Sequence, residues 1–538
     1  MLGEWKGKSQ REIAEEIGIP RSTLQHWLER RQGIDAQPEL VAFFESEVGI
    51  AFIHRLLVAA QFVITMLGTS GVRRVCLFME LSGLDRFVAG CYGAQRQVNQ
   101  ALEEAIISYG EQERRRLSAM AKPKTITICE DETFHPEICL VAIEPVTNFI
   151  LLEEYAADRK AQTWTAALKE SLRDLPVEVI QATSDEGRGI CRHIEQELGA
   201  HHSPDLFHVQ HAASQATAAP LAAQVRKAET HLAEANQTLE AQQAKQQAYL
   251  ASDPRPVGHP PNFTRRIAVA QTSVTEAQTS LDGALLRQAQ AKATIRAIGQ
   301  SYHPYDPSTG VARDAQSVAA ELDSHFATLE TLATQANLSI RCQEQIRKAK
   351  RVVVKMVATI AFFFLTIQAT VTALSLTTEQ EQALYDHLIP AIYLQLMADK
   401  APHAPERHAL RQQSERLLAP LHSEDSPLFL LDSQQKQLIE EVATECAQLF
   451  QRSSSCTEGR NGQLALRHHS LHRLSNRKLS ALTTVHNYFI ERPDGSTPAQ
   501  RFFHAEPHSL FDYLLAHVDL PGRPAQKRPP LPPQPLLL

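Results

Sequence analysis

The sequence lacks the patterns that are typical of secreted proteins, of proteins with structural zinc sites and of strongly basic proteins. Its eight cysteines contain no CxxC pair and no signal peptide precedes them, so we expect a reduced, cytosolic protein without a zinc site. The formal net charge of −7 excludes a surface that is basic throughout, although local basic patches are enough for phosphate contact. With 538 residues, 43% hydrophobic and 21% charged, the chain is long enough for several folded domains.

Long hydrophobic runs are also scarce, and the one that needs a membrane test is residues 356–374. This run contains Gln368 and four threonines, and cations crowd its start without an aromatic belt. A membrane span remains an alternative, but these features favour a core helix in a large domain. We therefore expect no membrane partner.

Residues 9–31 predict two short helices around a turn at Gly18, with Pro20 suited to the first turn of the second helix. This is the pattern of a helix-turn-helix, and we assign residues 1–33 to a DNA-binding domain. An ordinary helical hairpin is the alternative. The polar face of the second helix carries groove-reading side chains: Arg21, Ser22, Thr23, Gln25 and His26.

The next segments predict a helical domain over 34–120. After it, the spacing of apolar residues changes from that of helices to that of strands. Residues 121–212 contain three short β-rich runs, then a helix, a further strand and another helix. A three-stranded meander followed by alternating helix and strand indicates an α/β domain of the ribonuclease-H type.

Residues 213–444 predict an almost entirely helical insertion into this core. Two Ala/Gln/Glu-rich stretches, 213–250 and 264–299, flank a proline-rich loop and predict an antiparallel helical hairpin, either a solvated spacer or a DNA-holding arm. Residues 445–510 would complete the core, and 511–538 would form a proline-rich tail. The predicted fold class is multidomain α plus α/β.

Three acidic residues stand out because each lies at the edge of a recognisable segment. Asp131 follows the β-rich run 125–129, Asp185 follows the β-rich run 177–183, and Glu458 lies between a serine-rich and a basic stretch. Carboxylates that converge at strand ends can hold two Mg²⁺ or Mn²⁺ ions for phosphodiester chemistry. Their neighbours Glu130 and Glu132 should point to the opposite face of the strand, as surface or supporting groups.

The stretch after Glu458 is locally basic on an acidic protein, which suits phosphate contacts beside an active site. Histidines 468, 469 and 472 admit a metal cluster, but a solvated or DNA-facing basic helix fits their spacing better. The candidate DNA-binding cations of this stretch are Arg460, Arg467, Arg473, Arg477 and Lys478.

Taken in order, these segments resemble a bacterial insertion-sequence transposase of the DDE type. The matching motifs are Asp131-Glu132, Ser184-Asp185, the segment 205–209, the EGRN segment from Glu458, and the RPDG turn within 475–503. The resemblance covers roughly 1–35, 121–212 and 445–505. It implies metal-dependent cleavage and strand transfer at the ends of a mobile element, with Asp131, Asp185 and Glu458 as catalytic acids.

Two points stay open at the level of sequence. Asp205 and His208 match the family's DxFHV segment, where a structural role as strand end and helix cap competes with metal ligation. The alternative function is a helix-turn-helix regulator with a non-catalytic core, and a third is a scaffold built on the long helices. For the transposase we expect double-stranded DNA as partner, a homo-oligomer, and a cytoplasmic, nucleoid-associated location.

Overall fold

The computed structural model describes residues 8–16, 18–25, 36–134, 137–254, 256–471 and 473–522. At its N-terminal end, helix α1 (Gln10–Glu16) and the helical residues 21–25 flank Gly18, whose φ of +68° is the left-handed conformation that glycine adopts without strain. Ala14 and Leu24, one on each helical segment, are both buried. Further N-terminal helices follow: α2 (Pro38–Glu45), α3 (Glu47–Phe62), α4 (Val72–Ser82) and α5 (Tyr92–Met120).

The described residues contain one five-stranded mixed sheet, in the order β3-β2-β1-β4-β5. Strand β1 pairs antiparallel with β2 and parallel with β4, β2 pairs antiparallel with β3, and β4 pairs parallel with β5. The strands are β1 (Lys124–Phe134), β2 (Ile138–Glu144), β3 (Phe149–Ala156), β4 (Val177–Ser184) and β5 (His201–Pro204). Helix α6 (Ala161–Leu172) connects β3 to β4, and the short helix α7 (Arg188–Arg192), continued by a π-helical turn (His193–Leu198), connects β4 to β5.

Strand β5 was not predicted from the sequence. Its four residues are too short and too polar to give a strand pattern, since two of them are histidines. The segment after it does not continue the sheet. Asp205 caps a new helix by accepting the backbone N–H of Phe207.

The long central part of the chain is helical. Helices α8 (Leu206–Ala251) and α9 (Phe263–Ser301) pack along each other. Alanines at seven-residue intervals from Ala270 to Ala291 are buried on α9 and allow the two backbones to approach closely. The remaining helices of this part are α10 (Ala315–Gln335), α11 (Ile340–Arg351), α12 (Val353–Thr372), α13 (Thr378–Ala383), α14 (Ile389–Lys400), α15 (Ala404–Leu418) and α16 (Ser433–Gln448).

The chain then returns to the sheet. Helices α17 (Ser455–Leu471) and α18 (Asn476–Tyr488) pack on its strands, followed by α19 (Pro498–Phe503) and α20 (Leu510–His517). On α20 and just after it, Leu510, Leu514 and Val518 are buried in the sheet's core. The proline-rich tail predicted from 511 is therefore corrected: its first residues form a packed helix, because Leu510 and Leu514 present one apolar face.

Two large buried clusters divide the described chain near Asp205 and Ser454. One contains residues between Val58 and Ala200 together with residues from Leu464 onward, and the other contains residues from Leu206 to Phe450. The predicted insertion limits at 213 and 444 both fall inside helices, α8 and α16, because helical periodicity does not show where a helix changes from one core to another. The chain leaves and returns at adjacent points, where the backbone N–H of Leu206 donates to the carbonyl of Arg452 over 2.9 Å.

Two stretches are long and apolar enough to cross a membrane by length and composition alone, Glu47–Leu67 and Ile340–Thr372. The second contains the run tested above. One face of α12, with Met356, Ile360 and Phe363, is buried in the cluster of the helical insertion. Val354 and Leu365 of the same helix are exposed, so packing within the described residues covers one face of α12.

Candidate functional site

The register of the two central parallel strands places Asp131 and Asp185 level with each other. Cys129 of β1 pairs with Thr183 of β4, and the two aspartates each follow two residues later. Asp131 lies inside β1, which continues in pairing with β2, whereas Asp185 follows the last residue of β4. Because parallel strands end at the same edge of a sheet, both carboxylates lie at one edge.

Glu458 reaches the same site from the first turn of α17. The pKa of Asp131 is raised to about 6, mainly by burial and also by the nearby charges of Asp185 and Glu458. The backbone N–H of Glu132 and the imidazole of His208 oppose this rise. The structure therefore brings the three sequence-predicted acids into one electrostatic neighbourhood.

Two further side chains surround Glu458. The ligand atoms of Asp205, His208 and Glu458 all lie within 4.8 Å of one another. Burial raises the pKa of the Glu458 carboxyl, the charge of Asp205 adds to this, and His208 and His211 lower it. His208 is half-buried beside the acids and is thus a polar neighbour of the site.

Asp205 has strong structural partners. Its side chain is fully buried, and it accepts the backbone N–H of Phe207 over 2.7 Å and that of Ser454 over 3.1 Å, together with the hydroxyl of Ser454. The first bond caps α8. The bonds to Ser454 connect the two ends of the helical insertion. This arrangement matches the strand-end and helix-cap role considered from the sequence.

The acidic neighbours of Asp131 face the other side of the sheet, as alternation along the strand predicts. Glu130 is fully buried and lies 3.3 Å from the imidazole of His193, so of the two roles considered from the sequence it has the supporting one. Glu132 accepts the indole N–H of Trp164 over 3.0 Å. Both therefore hold the helices behind the sheet.

Asn461 is a site residue that sequence reasoning missed. Its side-chain amide donates to Oδ2 of Asp131 over 2.7 Å, while the backbone N–H of Glu132 donates to Oδ1 over 2.8 Å. Its own amide oxygen is buried without a hydrogen-bond partner among the described residues. The sequence feature that could have identified Asn461 is its position in the EGRN segment, one helical turn after Glu458.

Two cations of α17, Arg460 and Arg467, have structural partners. Arg460 forms a bidentate ion pair with Glu153 on β3, at 2.7 and 2.6 Å, and is only 6% exposed. Arg467 donates to the backbone carbonyls of Met66 and Gly68 at the end of the turn after α3. These contacts dock α17 onto the sheet and onto the N-terminal helices.

The next two cations contact one acid of α5. Lys478 lies 3.3 Å from Glu103, and its burial lowers the pKa of its ammonium group to about 8. Arg477 contacts the same carboxylate over 2.8 Å but is 40% exposed. Arg473 is more exposed and pairs with Glu137 at the surface. Of the five candidate cations, Arg473 and Arg477 are those whose guanidinium groups are open to a phosphate.

The N-terminal candidate residues lie on the short helix after Gly18. Arg21, Ser22 and Gln25 are exposed and Thr23 is half-buried. His26 lies outside the described residues. The contact of these side chains with DNA stays a prediction.

The donors at the sheet edge suit hard divalent cations. Asp131, Asp185 and Glu458 offer carboxylate oxygens, and the like charges that raise the pKa of Asp131 are those that a bound cation would neutralise. The unpartnered amide oxygen of Asn461 is a further oxygen donor at this edge. The residues present therefore fit Mg²⁺ or Mn²⁺.

Comparison with known proteins bears on the C-terminal part of the chain. Residues 384–530 match a family model described as a family of unknown function (DUF6399). The match contains Glu458 and Asn461 but neither Asp131 nor Asp185. No curated protein matches the chain.

Proposed function

We propose that this chain is a DNA transposase of the DDE type, which cleaves DNA at the ends of an insertion sequence and transfers the strand. The observation that carries the proposal is the placement of Asp131 and Asp185 level with each other on two strands that pair in parallel, with the helix that carries Glu458 hydrogen-bonded to Asp131 through Asn461. The β3-β2-β1-β4-β5 order, three antiparallel strands extended by two parallel ones, supports a ribonuclease-H-like core.

Two divalent cations, when bound, would activate a water or 3′-hydroxyl and stabilise the leaving oxygen. The chain's own residues would hold and orient them. Asp131 and Asp185 would do so from neighbouring strands and Glu458 from α17. Asn461 would fix the orientation of Asp131 through its amide bond.

DNA binding would come from two exposed cationic regions of the chain. The row from Arg21 to Gln25 suits a major groove, and Arg473 with Arg477 suits the phosphates of a bound end. The functional form would be a homo-oligomer, because both element ends must be brought together for joining.

The test uses the full chain, DNA that carries the inverted repeats flanking the coding region, and Mg²⁺ or Mn²⁺. Asp131→Asn, Asp185→Asn and Glu458→Gln should each abolish nicking while DNA binding persists. Glu178→Gln is the matched control, an exposed acid at the other end of β4, and should nick like wild type. Wild-type protein that binds the DNA but never nicks it would instead support the regulator.

A further inference from the structure

A second cluster of metal-ligand side chains lies behind Asp185 and is not used by the proposed reaction. Donor atoms of Glu186, Cys191 and His202 all lie within 4.8 Å of one another. Glu195 adds a second carboxylate, 3.8 Å from Nδ1 of His202. The four side chains come from the loop after β4, from α7, from the π-helical turn and from β5, so the fold itself brings them together.

The distances from Nδ1 of His202 to the other donors are close to those of a tetrahedral site. Zinc bonds of about 2.0–2.3 Å place neighbouring ligand atoms of a tetrahedron roughly 3.3–3.8 Å apart. Nδ1 of His202 lies 3.8 Å from an oxygen of Glu186, 3.8 Å from one of Glu195, and 3.9 Å from the sulfur of Cys191. Small side-chain adjustments would complete coordination without backbone movement.

The surroundings of His202 favour the tautomer that a metal needs. The hydroxyl of Ser184 donates to the carbonyl of Asp185 over 3.0 Å, and Oγ of Ser184 lies 3.0 Å from Nε2 of His202. The ammonium of Lys355 lies 3.3 Å from Nδ1 and can only donate. A proton on Nε2 satisfies both contacts and leaves the lone pair of Nδ1 facing the cluster. A hydrogen bond to the other ring nitrogen is the usual support of a metal-ligating histidine.

A cationic group of the helical insertion lies among these donors. The ammonium of Lys355 on α12 is 3.0 Å from Glu186, 3.4 Å from Glu195 and 3.3 Å from Nδ1 of His202. Its side chain is 36% exposed, so it can turn outward to solvent. The fold thus provides a place for positive charge, lined by sulfur, nitrogen and oxygen donors.

We propose that Glu186, Cys191, Glu195 and His202 form a binding site for a borderline divalent cation of the zinc class, with Lys355 as the resident cation in its absence. A thiolate with an imidazole selects zinc over magnesium, which prefers oxygen ligands alone. Binding displaces the thiol proton of Cys191 to solvent and releases the ammonium of Lys355. The proposal goes beyond the DNA chemistry and does not depend on it.

The test is direct titration of the metal-free, reduced full chain with Zn²⁺ in competition with a chromophoric chelator, followed by Co²⁺ absorption spectra. We expect one tight Zn²⁺ site and a thiolate-to-cobalt charge-transfer band. Cys191→Ser and His202→Asn should lose both. Ser184→Ala should weaken binding by about tenfold, the usual size of a supporting-residue effect. Lys355→Met should tighten binding several-fold because the competing cation is gone.

Two controls test whether the effects are specific to this site. Glu178→Gln, an exposed acid on β4, and Cys342→Ser, a half-buried thiol on α11, should keep wild-type Zn²⁺ affinity. If Cys191→Ser fails to fold by circular dichroism, the Lys355→Met titration and the wild-type cobalt spectrum decide in its place. Absence of a tight site in wild type, a cobalt spectrum without thiolate character, or unchanged affinity in Lys355→Met would each overturn the proposal.

Discussion

The side-chain amide of Asn461 donates a 2.7 Å hydrogen bond to Asp131 across 330 residues of sequence. The other carboxylate oxygen of Asp131 is held by the backbone N–H of Glu132. Asn461 lies one turn after Glu458 on α17. This bond therefore fixes the helix that carries Glu458 relative to the strand that carries Asp131. Asn461 is therefore a positioning residue of the candidate site.

Replacing Asn461 with alanine should weaken the site more than the fold. A supporting hydrogen bond at a metal site is worth about 10–100-fold in metal affinity or activity, whereas one hydrogen bond contributes about 1 kcal/mol to stability. Titration of the nicking rate with Mg²⁺ measures the first effect and thermal unfolding the second. Gln463→Ala, at an exposed position of the same helix, is the control. Wild-type Mg²⁺ dependence in Asn461→Ala would show that the amide bond is incidental.

The raised pKa of Asp131 predicts a pH dependence of both stability and activity. The pKa is about 6 in the folded chain against an ordinary value of 3.8, so the folded state binds the extra proton between these values. The free energy of unfolding should therefore fall as pH rises from about 4 to 6, by at most about 1–3 kcal/mol. Asp131→Asn should remove this slope. Nicking by wild type should rise over the same range as Asp131 ionises, and added Mg²⁺ should shift the rise to lower pH.

A flat stability curve for wild type between pH 4 and 6, measured by urea unfolding beside Asp131→Asn, would contradict this assignment. The comparison matters because other carboxyls titrate in the same range. Only the difference between the two proteins reports on Asp131.

The sequence predicted the strands that carry Asp131 and Asp185 better than it predicted the surroundings of these residues. Both aspartates follow β-rich runs, and the parallel pairing of these runs in the sheet makes the two residues level. Their catalytic role stays a prediction. The contact of Asn461 with Asp131 and that of Glu130 with His193 join positions far apart in sequence. Such contacts depend on how helices dock on the sheet, which periodicity does not specify.

The pattern of charged residues in the sequence predicted their roles less well than the pattern of apolar residues predicted the helices and strands. The basic stretch after Glu458 was predicted to contact DNA, yet Arg460 is buried in an ion pair with Glu153. The sequence alone does not distinguish an arginine that stabilises packing from one that binds a phosphate. Burial and partner distinguish them, and both are properties of the tertiary fold.

This distinction predicts opposite outcomes for two sets of arginines. Arg460→Met should destabilise the fold by about 3–5 kcal/mol, because Glu153 is left buried and unpaired. Arg473→Ala combined with Arg477→Ala should change stability little. The exposed pair of Arg473 with Glu137 contributes about 0–1 kcal/mol, and Glu103, the buried partner of Arg477, keeps its contact with Lys478. This double variant should instead weaken DNA binding and make it less dependent on salt concentration.

Chemical unfolding and DNA titrations at several salt concentrations measure the two effects. Arg74→Ala, an exposed arginine on α4, is the control for loss of a surface cation. Unchanged DNA affinity and salt dependence in the Arg473 and Arg477 double variant would place the phosphate contacts elsewhere on the protein.

Asp205→Asn decides between the two roles considered for Asp205. In the structural role, the Asp205 carboxylate joins the start of α8 to Ser454 by accepting hydrogen bonds from both. Each hydrogen bond to a carboxylate contributes about 1.5–3 kcal/mol to stability. Asp205→Asn should therefore lower the melting temperature and increase proteolysis near residues 204–206 and 450–454. Ser454→Ala should reproduce part of this effect, while the Mg²⁺ dependence of the remaining activity stays unchanged. A variant that melts like wild type but needs far more Mg²⁺ would instead make Asp205 a metal ligand beside Glu458 and His208.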